Sequence, residues 1–328
     1  MSETTETPYD GLTPDTILDA LESVGFLPSG SLLPLNSFEN RVYQIGLDTG
    51  DFVVAKFYRP ARWSLAAIEE EHAFSFELVE HDLPVVAPLR REGASLFEHA
   101  GFQFAVFPRQ GGHPPNLEDP DDFEVLARTL ARIHAVGAVR PFEHRPALTI
   151  ERLGIESREL LLTGNWLPPD TEAAYASTTE HLLAAIGEIL APPLRTQRIH
   201  GDCHMGNVLW RADLPHFVDL DDCVMGPEIQ DLWMLLSGER VERQAQLQIL
   251  LDAYLPFHEL DLRSLRYIEA LRTLRMMHHA AWLARRWHDP AFPAAFPWFD
   301  SPRYWSEHVL SLREQQAALD EPPLEYFA

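Results

Sequence analysis

The stretch Ile199-His200-Gly201-Asp202-Cys203-His204-Met205-Gly206-Asn207-Val208-Leu209-Trp210, followed by Phe217-Val218-Asp219-Leu220-Asp221-Asp222, gathers Asp, Asn and His around two short apolar runs. A loop bearing Asp202 leads into a strand-like run at residues 208–210, a turn near Asp213 and Pro215 reverses it, and a second run at 217–219 ends on Asp219. Paired strands lie about 4.8 Å apart, so Asn207 and Asp219, at the open end of such a hairpin, are placed to share one metal ion. One carboxylate, one amide oxygen and several waters suit Mg²⁺ where substrate phosphates complete the octahedron. Asp202, five residues before Asn207, is then placed to accept a proton from a hydroxyl attacking a γ-phosphate. Asp202 and Asp219 are therefore the candidate catalytic pair.

Phosphoryl transfer also needs positive charge on the nucleotide side. Working outward, Val53-Val54-Ala55-Lys56 sets a lysine inside an apolar strand, which is costly unless its ammonium meets an anion. The helical pattern at residues 64–81 supplies candidates in Glu69, Glu70 and Glu71. Glu71 lies on the side bearing Phe74 and Leu78 and is the expected partner, with Glu70 as the fallback. A strand lysine paired with a helix glutamate is the arrangement by which kinases hold the α- and β-phosphates.

The surroundings fit one α+β layout. A polar tail spans residues 1–11, and Thr13-Pro14 opens an amphipathic helix through Ile17, Leu18, Leu21 and Val24. Strand-like runs follow at 31–35, 41–47 and 52–58, then the helix, then runs at 95–97 and 102–107. These predict an N-lobe over residues 12–107, a small antiparallel sheet with one crossing helix. Pro-Arg-Gln-Gly-Gly-His-Pro-Pro at 108–115 reads as a hinge or linker. Residues 116–328 read as a helical C-lobe, with helices at 122–136, 173–190, 229–236, 243–254 and 262–287. Only the two strand-like runs of the opening stretch interrupt it.

Composition bounds the partners. With 26 Lys and Arg against 50 Asp and Glu, the formal net charge of -24 argues against a nucleic-acid partner. Two cysteines, Cys203 and Cys223, make no disulfide framework, and no apolar leader follows Met1, which points to the cytoplasm. No run reaches the roughly 20 apolar residues of a membrane span. A monomer is expected.

The order of strand lysine, helix glutamate, hinge, His-Gly-Asp loop with Asn five residues on, and a final Asp resembles the bilobal protein-kinase-like fold in its aminoglycoside phosphotransferase form. Residues 12–325 resemble, more closely, the bacterial stress response kinase A family. The segments behind this are residues 34–44 (Pro-Leu-Asn-Ser-Phe-Glu-Asn-Arg-Val-Tyr-Gln), 55–63 (Ala-Lys-Phe-Tyr-Arg-Pro-Ala-Arg-Trp), the opening stretch, 226–236 and 281–293. The resemblance implies an ATP- and Mg²⁺-dependent serine/threonine protein kinase acting in a stress response, with ATP and a protein hydroxyl as partners. It implies Asp202 as base, Asn207 and Asp219 as metal ligands, and Ser37 in the loop over the phosphates. Adenine is expected on the backbone of the hinge near Val106 and Phe107.

Some features depart from most protein kinases. The loop Asn36-Ser37-Phe38-Glu39-Asn40 has no glycine, so the Ser37 hydroxyl and the Asn40 amide are expected to donate to phosphate oxygens. His-Gly-Asp lacks the arginine that reads a phosphorylated activation loop, and only twelve positions separate Asp219 from Asp231. Activity without activation-loop phosphorylation is expected. His200 is read as a brace between the loop and the strand ending at Asp219, Asp231 as an acceptor for the loop's backbone N–H groups, and Cys203 as a buried filler. Asp221 and Asp222 either bind a second ion or are solvated. His278, His279 and the aromatics from Trp282 to Phe299 read as packing. Two rivals stand beside the protein kinase: a small-molecule kinase whose acidic cleft takes an aminoglycoside, choline-like or amino-alcohol cation, and a phosphohydrolase with His200, Asp202, His204 and Asp219 around a transition metal.

Overall fold

Residues 7–117, 119–193 and 195–327 are described by a computed structural model, so the first six positions of the expected tail lie outside the described residues. Tyr9 is docked rather than solvated: its ring stacks on Phe102 at 6.3 Å and its hydroxyl donates to the Glu39 carbonyl at 3.0 Å. Helix α1 (Pro14–Ser23) starts where Thr13 accepts the Thr16 N–H and Pro14 presets the first turn. It buries Ile17, Ala20 and Leu21.

Strands β1 (Pro28–Pro34), β2 (Arg41–Leu47), β3 (Phe52–Phe57), β4 (Phe97–His99) and β5 (Phe102–Pro108) form one sheet in the order β1-β2-β3-β5-β4. Every neighbouring pair is antiparallel. Helix α2 (Leu65–Glu80) crosses between β3 and β4. Strand periodicity separates the two faces. Val53, Ala55, Phe57, Phe104 and Val106 pack with α1, while Ala105 and the half-buried Phe107 lie on the other face with Tyr58 and Ile68 of α2. Lys56 pairs in register with Ala105 and so shares that second face. Further along α2, Phe74 and Leu78 enter the largest core of the helical half, so one helix joins both lobes.

The helical half comprises α3 (Pro120–Gly137), a wide π turn (Glu151–Ile155) continuing into α4 (Glu156–Thr163), α5 (Pro169–Leu190), α6 (Ile229–Trp233), α7 (Arg240–Tyr254), α8 (Ile268–Arg286), α9 (Ala291–Ala295) and α10 (Pro302–Asp320). The expected helix at 262–287 is divided: Leu262–Tyr267 is a tighter 3-10 turn, and α8 begins at Ile268. Four short strands replace the two expected here. β6 (Gln197–Ile199) pairs with β9 (Val224–Gly226), and β7 (Val208–Arg211) pairs with β8 (Leu214–Phe217). The second expected run therefore ends at Phe217, and Asp219 lies beyond it. No helix among the described residues is long and apolar enough to cross a membrane.

Buried histidines make this fold sensitive to acid. Burial pushes the imidazoles of His72 and His278 down to about 3, helped by nearby Lys56 and arginines respectively, and that of His308 to about 4. An unfolded histidine titrates near 6.5, so between these values the unfolded chain binds more protons and stability falls as pH falls. Each such group contributes about 1.4 kcal/mol per pH unit in that window. The melting temperature is expected to drop between pH 7 and pH 5. His308 stacks on Tyr175 and Tyr304 and its Nε2 has no hydrogen bond, so His308→Phe keeps the packing and should flatten the slope. Superimposable profiles for the two proteins would exonerate His308.

Candidate active site

β6 delivers His200, and the loop after it is braced from below. Asp231 of α6, fully buried, accepts the N–H groups of His200 and Gly201, each at 2.8 Å, and also lies 3.0 Å from His134 Nε2. His134 in turn contacts the Tyr254 hydroxyl at 2.8 Å. His200 Nε2 donates to the Val218 carbonyl at 3.0 Å, the brace expected for it. Gly201 has φ +83°, and a Cβ there would stand 2.3 Å from the Asp222 carbonyl oxygen. Any side chain is excluded, which accounts physically for His-Gly-Asp in place of His-Arg-Asp.

The three oxygen donors meet at the end of the β7–β8 hairpin. Asn207 Nδ2 donates to the Asp202 carbonyl at 3.0 Å, and the Val218 N–H donates to the Asn207 carbonyl at 3.0 Å. Asp219 follows with φ 58° and ψ 62°, a left-handed conformation uncommon outside glycine. The Asp202 carboxylate faces Arg275, at 2.5 Å, and His204, at 3.4 Å. Burial acts to raise its pKa, but the hydrogen bond from His204 and the charges of Arg275, His204 and His200 prevail and hold it well below the usual carboxylate range. His204 also accepts the Gly206 N–H on Nδ1 at 2.9 Å, shaping the turn into Asn207.

Lys56 reaches this cluster from the sheet. Its Nζ lies 3.0 Å from Asp219, 3.1 Å from Asp221 and 3.4 Å from Glu71. Burial opposes its charge, yet Asp219, Asp221 and Glu71 outweigh burial and raise its pKa, so the ammonium is kept. Glu71 is thus the helix partner, as expected. Glu70 instead accepts the N–H groups of Glu143, His144 and Arg145 at 2.6 to 2.8 Å. Asp221 is neither solvated nor free: it is buried and bonded to Lys56, Arg62 and Asn40. Asp222 is half-exposed and meets Arg62 Nη2 at 2.5 Å.

Two residues expected to contact nucleotide have partners within the protein. Asn40 is buried, its Nδ2 donating to Asp221 at 3.0 Å and its Oδ1 accepting the Arg59 N–H at 3.1 Å, so it bridges the lobes. Val106 points its side chain into the α1 core, and its carbonyl accepts the Leu89 N–H at 2.6 Å. Phe107 lies on the Lys56 face. Ser37 Oγ donates to the Asn40 carbonyl at 3.2 Å and closes the loop on itself.

That loop is also pinned from the helical half, which nothing local in the sequence announces. Glu39 is bound by Arg59, Arg286 and the Trp282 indole N–H, and Phe38 packs edge-on against Phe296 at 5.0 Å. Asp289, buried, takes Arg41 Nη2 at 2.8 Å and Arg59 Nη2 at 2.6 Å. The aromatic cluster read as packing is therefore also a clasp over the loop.

Asn207 Oδ1 and Asp219 Oδ2 have no hydrogen-bond partner among the described residues, and both are hard oxygen donors. This pair fits Mg²⁺ that keeps most of its waters. Among the described residues no three His, Cys, Asp or Glu side chains group as a metal cage.

A profile described as a phosphotransferase enzyme family matches residues 31–268. Over 317 residues, 97% of this chain and 96% of the relative, the sequence is 44% identical to the serine/threonine protein kinase RdoA of Salmonella typhimurium. It is equally similar, over the same shares, to the stress response kinase A of Escherichia coli. The chain belongs to the phosphotransferase enzyme family, in its stress response kinase A branch. Among solved structures, this phosphotransferase is similar to the amicoumacin kinase hAmiN in complex with AMP-PNP, Ca²⁺ and Ami (TM-score 0.73, 18% identity, 96% of each chain). It is also similar to a microcompartment-associated aminopropanol kinase (TM-score 0.69, 20% identity, 92% of this chain and 98% of that one). At such identities the likeness is one of fold: the phosphotransferase has the protein-kinase-like architecture, an antiparallel sheet followed by a helical half.

Proposed function

We propose that this phosphotransferase moves the γ-phosphate of ATP to a serine or threonine hydroxyl of a protein, with Mg²⁺ held by Asn207 and Asp219. The observation that carries the reading is the meeting of Lys56 with Asp219 at 3.0 Å, across 163 positions of sequence, beside the loop of Asp202 and Asn207. Bound Mg²⁺ neutralises phosphate charge and orients the transferred group. Lys56, fixed by Glu71, holds the α- and β-phosphates, while the turn of residues 36–40 covers them. Phe107 and the backbone from Pro108 onward receive the base. Asp202 orients the acceptor hydroxyl and takes its proton late, as suits a carboxylate of low basicity facing a loose transition state. Nothing here calls for activation-loop phosphate, since the segment between Asp219 and Asp231 is already fixed by the pairing of β9 with β6.

The protein acceptor rests on the 44%-identical relative described as a serine/threonine protein kinase. A small alcohol is the second reading, favoured by a half-open cleft of about 530 Å³ beside Asp202, the size of a small-ligand site. The two separate in one assay. Incubation with labelled ATP, a generic serine-containing protein and a panel of amino-alcohols should label serine or threonine. Label in an amino-alcohol with the protein left unlabelled would replace the first reading by the second. We further propose a monomer acting in the cytoplasm during stress, which sedimentation and cell fractionation test.

A further inference from the structure

The cleft beside Asp202 has the wrong charge for the cations that small-molecule kinases of this fold were expected to take. Arg62, Arg152, Arg275, Arg285 and Arg286 line it, in a chain whose formal net charge is -24. Its carboxylates are mostly committed. Glu39 is bound by Arg59 and Arg286, Asp222 by Arg62, and Asp202 by Arg275. Glu156 is exposed, and among the described residues it makes no ion pair. What remains are the half-buried guanidinium groups of Arg152 and Arg285, neither of which has a hydrogen bond or ion pair among the described residues. A structural arginine finds a carboxylate or carbonyl; these two face open cleft.

We propose that this cleft is an anion subsite: the acceptor carries a carboxylate or phosphate group near its hydroxyl, and Arg152 and Arg285, joined by Arg275, receive it. The inference rests on Asp202 facing the acceptor hydroxyl. Guanidinium is the group whose planar fork matches carboxylate and phosphate oxygens in pairs. Arg275 and Arg285 belong to α8, and Arg152 to the π turn that packs beside it, so the three approach from rigid elements. The local field has visible effects: burial first, then Arg152, Arg285 and Arg275, force His278 to stay neutral, and Arg152 itself is drawn below its ordinary range by burial that nearby Asp222 only partly offsets. An anion relieves this crowding. It also gives Arg275 a second partner, which uncovers Asp202 Oδ1 for the hydroxyl.

The test compares peptides with one serine flanked by Asp, by Asn or by Lys, and glycerol 3-phosphate with glycerol, so that peptide and small-molecule anions are separate arms. In at least one arm the anionic acceptor should exceed its neutral counterpart in kcat/KM by about tenfold or more, the worth of one charge-assisted contact. Arg152→Gln/Arg285→Gln should bring that ratio near one. Binding of inorganic phosphate, followed through the fluorescence of Trp63 and Trp282 in the cleft wall, is read independently of transfer and should weaken by a similar factor in the same variant. Equal use of neutral and anionic acceptors, or phosphate binding indifferent to the two arginines, overturns the subsite. If no alcohol is phosphorylated but phosphate binding still depends on the arginines, the kinase reading fails and the subsite stands.

Discussion

Asp202→Asn is expected to bind Mg·ATP as tightly as the parent chain while transferring phosphate about 10³-fold more slowly, the usual worth of a positioned carboxylate. The substitution keeps volume and planarity. Its backbone carbonyl still receives Asn207 Nδ2, and the loop is still held through Asp231, so neither folding nor the metal ligands should change. Single-turnover transfer with labelled ATP, beside nucleotide titration, separates the two effects. Near-normal turnover in the variant would take Asp202 out of the mechanism.

Lys56→Met should damage both catalysis and stability. The ammonium contacts three carboxylates, of which Glu71 and Asp221 are buried and Asp219 is half-exposed. Removing one partner from a buried charge cluster costs about 3–5 kcal/mol, because the remaining charges keep their desolvation penalty. Arg62 still serves Asp221, and the Arg145 guanidinium stands 4.0 Å from Glu71, so the lower end of that range is expected. Thermal unfolding should show the loss, and the kcat/KM for ATP should fall by about 10²-fold or more, since phosphate positioning is most of what such a site supplies. The double variant Lys56→Met/Glu71→Leu should regain stability without regaining transfer. A single variant as stable and active as its parent would mean that Lys56 serves neither end.

What the sequence made legible were features with a local signature. Lys56 stood out because alternation in β3 demanded a buried side chain and supplied a charge, and Asp202, Asn207 and Asp219 because a short hairpin fixes their relation within a few residues. The bridge made by Asn40 was not legible because its partner Asp221 is 181 positions away, and no pattern in its own loop marks it. The side chain of Val106 is a different case. Phe102, Phe104 and Val106 share one phase of β5, and that phase alone assigns Val106 to the core and Phe107 to the cleft. β6 and β9 escaped notice because each is only three residues long, too short to show a period. The basic cleft was hidden by the acidic total: composition averages over a surface, whereas a site depends on which few guanidinium groups α8 and the π turn bring together.

The clasp on residues 36–40 draws on side chains beyond the matched family region. The matched family region stops at residue 268, yet Trp282, Arg286, Asp289 and Phe296 all lie after it. A fragment trimmed to the shared region would retain every group assigned to nucleotide, metal and base, and would leave Arg41, Arg59 and Glu39 without their anchors. The segment from Trp282 to Phe296 thus holds the 36–40 loop and its neighbours Arg41 and Arg59 from outside that region.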